Sequence, residues 1–397
     1  MKNLRQRYAA AALLVVAIGT SAAAQSTIPD RLSDADFWKL VNDISEPGGY
    51  FRSDNFLSNE QGFLYPIPEL KKTTRPGGVY LGVGPEQNFT YIVALQPKMA
   101  IIFDIRRQNM IEHLMYKALV EMSPDRAEFV SKLFGRKRPS GLDTSTSSLM
   151  LWTAYDTASA DSALYRTTLA AIKDRLTKMH GFVLSSSDSA SLNYVYSAFY
   201  QAGPAINYNF RPMVDADGIT TSLPVINRSP DGATVTAPGN GMVIMRYSRM
   251  ASYRDLQSAT DAAGNYLAYL ANEANYRWLK DLEMRNMLVP VVGDFAGPKA
   301  IRSVGQYLRD HNATVTAFYL SNVEQYLFQQ GDDWRKWFEN VGSLPLDSAS
   351  TFIRSGRGGN SFGVTGLASL LASMQEQLKA FKEGKLLTYW DVISSSH

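Results

Sequence analysis

Two glycines and an acid in the first third of the chain carry the clearest chemical signal. Gly82 and Gly84 end the apolar run that starts at Val79, and Asp104 ends the next apolar run, 104 − 82 = 22 positions later. Glycines at a strand end leave room for a ligand, and the next helix points free N–H groups at the same place. The acid lies close to the spacing of about 20 at which a carboxylate meets the ribose of a bound nucleotide. The pattern predicts a nucleotide-type binding turn.

The turn departs from the dinucleotide fingerprint in two ways. Gln87 stands where a third glycine would fall, and Glu86 places a negative charge at the helix start, where a pyrophosphate would sit. Charge repulsion there disfavours NAD and FAD, so the sequence favours a nucleoside without phosphates.

Each of these features also has a purely structural interpretation. The two glycines are equally consistent with close packing of the helix on the strand. Asp104 is also suited to pair with Arg106 or Arg107, or to cap a helix that begins near Asn109. Capping and ligand contact are compatible, because both occur at the carboxyl ends of the strands.

The elements that would position this turn follow a β-α-β-α order. The first stretch predicts strands at 79–83 and 99–103 and helices at about 86–95 and 109–122. A second stretch predicts strands at 288–292 and 314–320 and helices at 298–311 and 323–329. This order implies a parallel sheet. The predicted fold is α/β, a Rossmann-like mostly parallel sheet flanked by helices with a large, mainly helical insertion.

This combination resembles the class I S-adenosylmethionine-dependent methyltransferase superfamily. In that family the glycine turn faces the methionine part of the cofactor, and the acid after the second strand holds the ribose. Val291 to Asp294 looks like the strand-three motif whose acid faces the adenine, and Ala317 to Leu327 looks like the segment that lines the methyl-transfer pocket. The resemblance requires about 150 residues inserted between the second and third strands.

The resemblance implies a nucleoside cofactor, S-adenosylmethionine or a related molecule, and no metal. The implied cofactor-binding residues are Gly82, Gly84, Pro85, Glu86, Asp104 and Asp294. Asp294 is equally suited to cap the helix that starts at Pro298. As polar groups for transfer chemistry the sequence offers only Asn88, Tyr91, Tyr319 and Glu324.

The N-terminus has the pattern of a secretory leader. Lys2, Arg5 and Arg7 form a basic start, residues 9–18 are apolar, and residues 22–24 are three alanines, so Gln25 is the predicted mature N-terminus. An apolar run of ten residues is shorter than the ~20 needed to span a bilayer. We therefore expect an exported protein, periplasmic or secreted, with an uncleaved N-terminal anchor as the alternative.

The chain divides into six predicted segments. They are a signal peptide at 1–24, an N-terminal helix and covering arm at 25–75, the first half of the Rossmann-like domain at 76–122, an inserted helical and loop region at 123–286, the second half at 287–354, and a glycine-rich loop with a C-terminal helix at 355–397. Within them we expect an irregular arm at 50–68, a short strand near Phe182, hairpin pieces between 207 and 241, and a final helix near 367–382.

Composition excludes several classes of site. The absence of cysteine excludes disulfides, thiolate nucleophiles and cysteine-bound metals. The net charge of +3 includes the basic leader and, without a basic helix, gives no case for nucleic acid. The four histidines lack metal-ligand spacing. Glu112 and His113 are expected to be a surface or interface pair.

Three functional classes remain open. The first is an active methyltransferase, and the second is an exported binding or scaffold protein with a vestigial nucleoside pocket. The third is a periplasmic enzyme of another type, such as a hydrolase of envelope material, although the sequence shows no nucleophile and base pair for it. Export conflicts with the first class, because S-adenosylmethionine is made in the cytosol and does not cross membranes unaided.

Overall fold

A six-stranded, mostly parallel sheet forms the centre of the molecule. The computed structural model describes residues 26–213, 225–229, 232–236, 242–245, 250–356 and 368–397. The predicted leader and residues 357–363 of the glycine-rich loop lie outside these residues. Among the described residues, no helix has both the length and the apolarity that a membrane crossing requires.

Six strands of the chain build this sheet, and three more form a small antiparallel sheet. The strands are β1 Val79–Val83, β2 Met99–Asp104, β3 Val225–Ser229, β4 Gly232–Thr236, β5 Met242–Met245, β6 Leu288–Val292, β7 Val315–Ser321, β8 Leu346–Gly356 and β9 Ala368–Ser373. The large sheet has the order β6-β2-β1-β7-β8-β9, and only β9 is antiparallel to its neighbour. Counted along the chain, this order is 3-2-1-4-5-6, and it reverses direction between β1 and β7.

Helices surround the sheet and fill the insertion. They are α1 Asp34–Ile44, α2 Ile67–Thr73, α3 Gln87–Leu95, α4 Arg107–Met122, α5 Arg126–Phe134, α6 Ser148–Asp156, α7 Ser162–Asp174, α8 Ser186–Ala202, α9 Tyr253–Gln257, α10 Glu273–Met284, α11 Ala300–Asp310, α12 Val323–Leu327, α13 Asp333–Val341, α14 Met374–Lys382 and α15 Tyr389–Ser394. A π-helical turn, Arg175–Met179, extends α7. Helix α4 packs on β2 and β6, α1 on β6, and α14 on β8.

Local sequence accounts for most of these elements. Every residue of β1, β2 and β6 is buried, as continuous apolar runs in a two-sided parallel sheet require. Ser33 and Asp125 accept hydrogen bonds from the first turns of α1 and α5. Gly135 ends α5 in the left-handed conformation, with a φ of +57°.

The insertion between β2 and β6 is mainly helical and is anchored at its C-terminal end. Helix α10 packs against α3 and α4, so the chain returns to the sheet beside the place it left. An aromatic contact joins the insertion to α3: Phe89 meets Tyr269 at 5.3 Å between ring centroids. Within the insertion, Phe129 of α5 meets Tyr276 at 5.7 Å. The structure confirms the predicted α/β fold with its helical insertion.

Several local predictions differ from the structure. Phe182 forms no strand, because its backbone pairs with no other strand. Its ring instead stacks on the rings of Trp38 and His180. Residues 368–373, expected in the final helix, form β9, because pairing with β8 buries them. The hairpin pieces are present as β3 and β4. Helix α2 begins within the predicted irregular arm, and α6 and α15 were not predicted.

A partly buried ionic cluster fastens α1 to α4 and the π-helical turn. The ring of His180 contacts Asp34 Oδ1 through Nδ1 at 2.8 Å and Glu121 Oε2 through Nε2 at 2.7 Å. Burial acts to lower the pKa of His180, but the hydrogen bond and charge of Glu121 outweigh it, so this pKa lies above its usual value. Burial acts to raise the pKa of Glu121, but His180 and Lys117 bring it down to about 2.

We predict that His180→Gln destabilises the protein more at pH 5.5 than at pH 8.5. A raised pKa in the folded state contributes stability below the unfolded pKa of about 6.5, and this is lost as the pH rises through the folded value. Hydrogen bonds to charged groups suggest a loss of about 1–3 kcal/mol at the lower pH. Urea unfolding at both pH values measures it.

His311→Gln is the matched control, because the His311 ring bonds the carbonyl of Tyr307. Its effect should change little between the two pH values. An equal loss at both pH values in His180→Gln would contradict an ionic role for His180.

Candidate functional site

A cleft of about 290 Å³ opens at the carboxyl ends of β1, β2, β6 and β7. This is the edge and the point of order reversal at which open α/β sheets bind ligands. Its aromatic lining residues are Tyr50, Phe51, Tyr208, Phe295, Tyr319 and Tyr326. Its polar lining residues are Arg52, Asn55, Ser58, Asn59, Asp104, Arg106, Asp294, Ser321, Asn322 and Gln330.

The strand register brings the predicted site residues together. Val83 lies opposite Phe103, and Asp104 lies opposite Val292. Beyond the strands, the Gly84 N–H donates to Phe103 O at 3.1 Å, and the Gly293 N–H donates to Asp104 O at 2.9 Å. Gly84, Pro85, Asp104 and Asp294 therefore all line the cleft.

The two glycines of the turn have different roles. Gly84 has a φ of +77°, and no atom lies within 4 Å of the place where a Cβ would stand, so its backbone is open to the cleft. A Cβ on Gly82 would lie 1.8 Å from Asn88 Oδ1. Gly82 does not line the cleft, and the structure gives it the packing role that the sequence left as an alternative.

Asn88 holds the turn in shape. Its Oδ1 accepts from the Tyr80 hydroxyl at 2.9 Å, and its Nδ2 donates to Val83 O at 3.0 Å and Pro85 O at 2.7 Å. The side chain is fully buried. Asn88, nominated from the sequence for transfer chemistry, is thus a structural residue of the turn.

The side chain of Asp104 forms an ion pair with that of Arg106. Its Oδ1 accepts from the Arg106 backbone N–H at 2.8 Å and from Nε at 3.0 Å, and its Oδ2 accepts from Nη2 at 2.8 Å. Both side chains are buried. Among the pairings that the sequence left open, Arg106 is the partner, whereas Arg107 pairs with Asp188. Any ligand hydroxyl at Asp104 would share this carboxylate with the guanidinium.

Arg106 also fixes the covering arm over the cleft. Its Nη1 donates to Ser53 O at 3.0 Å and to the carbonyl of Asp54. Just before these residues in the chain, the Gly49 N–H donates to Ile105 O at 2.7 Å, and the Glu46 N–H donates to Val292 O at 2.9 Å. The arm therefore forms one wall of the cleft.

Asp294 lines the cleft beyond the end of β6, which β2 separates from β1 and the glycine turn. Its Oδ1 accepts from the Ala296 N–H at 2.9 Å, and burial raises its pKa. It does not cap α11, because Glu46 Oε1 accepts from the N–H groups of Lys299 at 2.9 Å and Ala300 at 2.5 Å. The sequence predicted that Asp294 contacts the adenine or caps this helix, and the capping role belongs to Glu46 instead.

The sequence predicts that the negative charge of Glu86 repels a phosphate at the start of α3, and the environment of Glu86 corrects this prediction. Glu86 is 1% exposed and does not line the cleft. Burial raises its pKa to about 8, so the carboxyl is mostly protonated at pH 7 and does not repel an anion.

Glu112 and His113 are buried behind the turn, so the predicted surface pair is wrong. Burial, and after it the neighbouring Glu86, keeps the pKa of Glu112 well above its usual value. Burial lowers the pKa of His113 to about 4, and its Nε2 donates to Gly84 O at 2.8 Å. Burial therefore favours the uncharged form of both side chains behind the turn.

The sequence missed a polar cluster at the end of the cleft. Glu60, in the covering arm, accepts from the Tyr319 hydroxyl at 2.9 Å, the Ser321 hydroxyl at 2.5 Å and Gln87 Nε2 at 3.1 Å. Glu60 is 0% exposed, whereas Tyr319 and Ser321 line the cleft. The arm is irregular in sequence, so no periodicity marked Glu60.

Of the other nominated polar residues, neither lines the cleft. Glu324 forms a buried pair with Arg354, at 2.8 Å between Oε2 and Nε, and accepts from Trp337 Nε1 at 3.2 Å. Tyr91 is completely buried on α3 and packs against Tyr319, with ring centroids 5.2 Å apart.

Fold and cleft together define an α/β protein with a Rossmann-like sheet and a ligand-sized cleft at its order reversal. The chain belongs to the family described as Domain of unknown function (DUF7790), whose model matches residues 56–203 and 226–387. The matched segments include the strand ends around the cleft and Glu60. The comparison with curated proteins gave no match.

We predict that Gly82→Ala lowers the free energy of unfolding by about 1–3 kcal/mol, because the new methyl group displaces Asn88 from a packed turn. Gly48→Ala is the control: its Cβ would meet Arg107 at an ordinary 3.5 Å. Urea unfolding of both variants measures the difference. Equal stability of the two variants would show that Asn88 moves aside without cost.

Proposed function

We propose that the protein binds a small nucleoside-type ligand without phosphates in this cleft. The observation that carries the proposal is the position of the cleft at the order reversal of the sheet, with the open backbone of Gly84 on one side and Asp294 on the other. S-adenosylmethionine is the cofactor class to test first, because the sequence resembles its methyltransferases.

The size and lining of the cleft suit such a ligand. A volume of about 290 Å³ lies just below the range of ligand pockets, which begins at about 300 Å³, so it suits a small ligand. Aromatic rings offer stacking surfaces for a base, and amide side chains such as Asn55 and Asn322 offer both donors and acceptors.

The charges in the cleft support the absence of phosphates. Among the described lining residues the cationic side chains are Arg52 and Arg106, and Asp104 already neutralises Arg106. Pro85 has no N–H to offer an anion at the start of α3. With Asp294 counted against the remaining cation, Arg52, the lining carries no net positive charge that would hold a phosphate group.

In the proposed pose, Asp294 accepts from the exocyclic amine of the base. Asp104 accepts a hydrogen bond from a ribose hydroxyl with the oxygen lone pairs that its bonds to Arg106 leave free. The remainder of the ligand runs past Gly84 toward Tyr319. Binding is the proposed activity, and formation of the demethylated product from S-adenosylmethionine would identify a transferase.

Thermal unfolding with adenosine, S-adenosylmethionine, its demethylated product and AMP tests this proposal. We expect the three phosphate-free ligands to raise the Tm more than AMP does. A ligand at 100 times its Kd adds about 2.7 kcal/mol to the free energy of unfolding, which such a scan resolves. A folded sample without a shift for any of them would contradict nucleoside binding.

Asp294→Ala should weaken binding by about tenfold to a hundredfold, since hydrogen bonds to a charged group contribute about 1.5–3 kcal/mol. Asp281→Ala is the control, because Asp281 pairs with Arg285 on an exposed face of α10. Equal Kd values for the two variants would exclude Asp294 from the site.

We further propose that the protein is exported, on the strength of the leader pattern in residues 1–24. Expressed in a bacterium, it should be recovered from the periplasm or medium with Gln25 as its first residue, as N-terminal sequencing will show. Ala24→Asp, which removes the small residue before the cleavage site, should leave the precursor uncut. Recovery of the chain from the cytosol with Met1 in place would contradict export.

A further inference from the structure

Ser321 occupies a backbone conformation that serine rarely adopts. It ends β7 with a φ of +50°, in the left-handed region, and α12 begins two residues later at Val323. The result is a sharp turn from strand to helix that presents a hydroxyl at the carboxyl edge of the sheet, inside the cleft. A strained serine on such a turn is the arrangement in which α/β hydrolases hold their nucleophile. In the G-x-S-x-G motif of those enzymes a glycine stands two residues to either side of the serine, whereas here Tyr319 and Val323 occupy those positions, so no sequence motif marked Ser321.

A buried carboxylate lies within reach of this hydroxyl. Ser321 Oγ donates to Glu60 Oε1 at 2.5 Å, with Asn322 Oδ1 more distant at 3.5 Å. Among the described residues no cationic side chain forms an ion pair with Glu60, whose partners are the hydroxyls of Ser321 and Tyr319 and Gln87 Nε2. The hydrogen bond from Ser321 Oγ places Glu60 Oε1 where a general base takes the hydroxyl proton.

Two further side chains hold that carboxylate in place. The Tyr319 hydroxyl donates to the same Oε1 at 2.9 Å, and Gln87 Nε2 donates to Oε2 at 3.1 Å. A hydroxyl, a base within hydrogen-bond distance and a third group that orients the base together make up the signature of an activated nucleophile. The three elements come from β7, the covering arm and α3, so no local stretch of sequence contains the set.

We propose that Ser321 and Glu60 form a nucleophile and base pair with which the cleft cleaves small carboxylic esters. This activity goes beyond nucleoside binding and does not depend on it, although both use the same cleft.

The reaction balances without any added reagent. Ser321 Oγ attacks the ester carbonyl carbon as its proton passes to Glu60, and the alcohol leaves with that proton as the carbon–oxygen bond breaks. Water then attacks the acyl-serine and gives a proton to Glu60, which returns it to Ser321 Oγ as the carboxylic acid departs.

The cleft defines the class of ester. Its volume of about 290 Å³ admits a small acyl group, and its aromatic walls favour an apolar one. An ester suits a carboxylate base better than an amide does, because an alcohol leaves with less proton transfer than an amine requires.

Labelling of the purified full-length protein with an alkyl fluorophosphonate tests the proposal. This probe forms a phosphorus–oxygen bond with an activated serine and releases fluoride. We expect a single adduct by intact mass, located on Ser321 by peptide mapping. Two serines are internal controls: Ser33 and Ser252 each donate to a nearby carboxylate at 2.7 Å, but as helix caps outside the cleft. An adduct that forms as fast on them as on Ser321 would overturn the proposal.

Substitutions of Glu60 and Ser321 test the base and the nucleophile separately. Glu60→Gln should slow labelling and the hydrolysis of 4-nitrophenyl acetate by at least about 100-fold, as expected when a general base is lost. Ser321→Gly, which suits the left-handed backbone, should fold with an unchanged circular dichroism spectrum and lose the adduct. An unchanged labelling rate in folded Glu60→Gln, or an adduct that still forms in folded Ser321→Gly, would refute the pair.

The outcome is distinguishable from that of nucleoside binding. Labelling without any thermal shift by adenosine would support the ester activity and reject the nucleoside. A thermal shift with no adduct on Ser321 would support nucleoside binding and reject the ester activity.

Discussion

The guanidinium of Arg106 joins the sheet edge to the arm that covers it. It neutralises Asp104 at the end of β2, and it donates to two carbonyls of the arm, those of Ser53 and Asp54. An arm without regular structure depends on such contacts, because it has few ladder hydrogen bonds of its own. Removing one member of a buried ion pair costs about 3–5 kcal/mol. Arg106 therefore stabilises the wall of the cleft as well as the strand end.

This contact also determines what the cleft offers a ligand. With Asp104 paired to Arg106, and with burial favouring the uncharged forms of Glu86, Glu112 and His113 behind the turn, little net charge faces the cleft on its glycine side. Specificity must then come from hydrogen bonds and shape. Asp294, beyond the end of β6, is the group best placed to orient a ligand.

Local patterns predicted the sheet from β6 to β7 and missed β9, the strand at its other edge. The runs that form β1 and β2 are apolar throughout and are separated by one helix, so both their type and their neighbourhood follow from sequence. Residues 368–373 were assigned to a helix because short apolar runs do not distinguish helix from strand. Only pairing with β8, a tertiary contact, decides between them. For the same reason the sequence left Asp104 with three possible partners.

The cluster at Ser321 shows a different limit of sequence reasoning. A left-handed serine costs of order 1–3 kcal/mol and leaves no mark on composition or periodicity. Its partner Glu60 stands 261 positions away along the chain. What brings the two together is the arm, and Arg106 holds the arm to the sheet. The contact that holds this wall of the cleft therefore also supports the segment that carries Glu60, so the proposed binding and the proposed reactivity share one structural support.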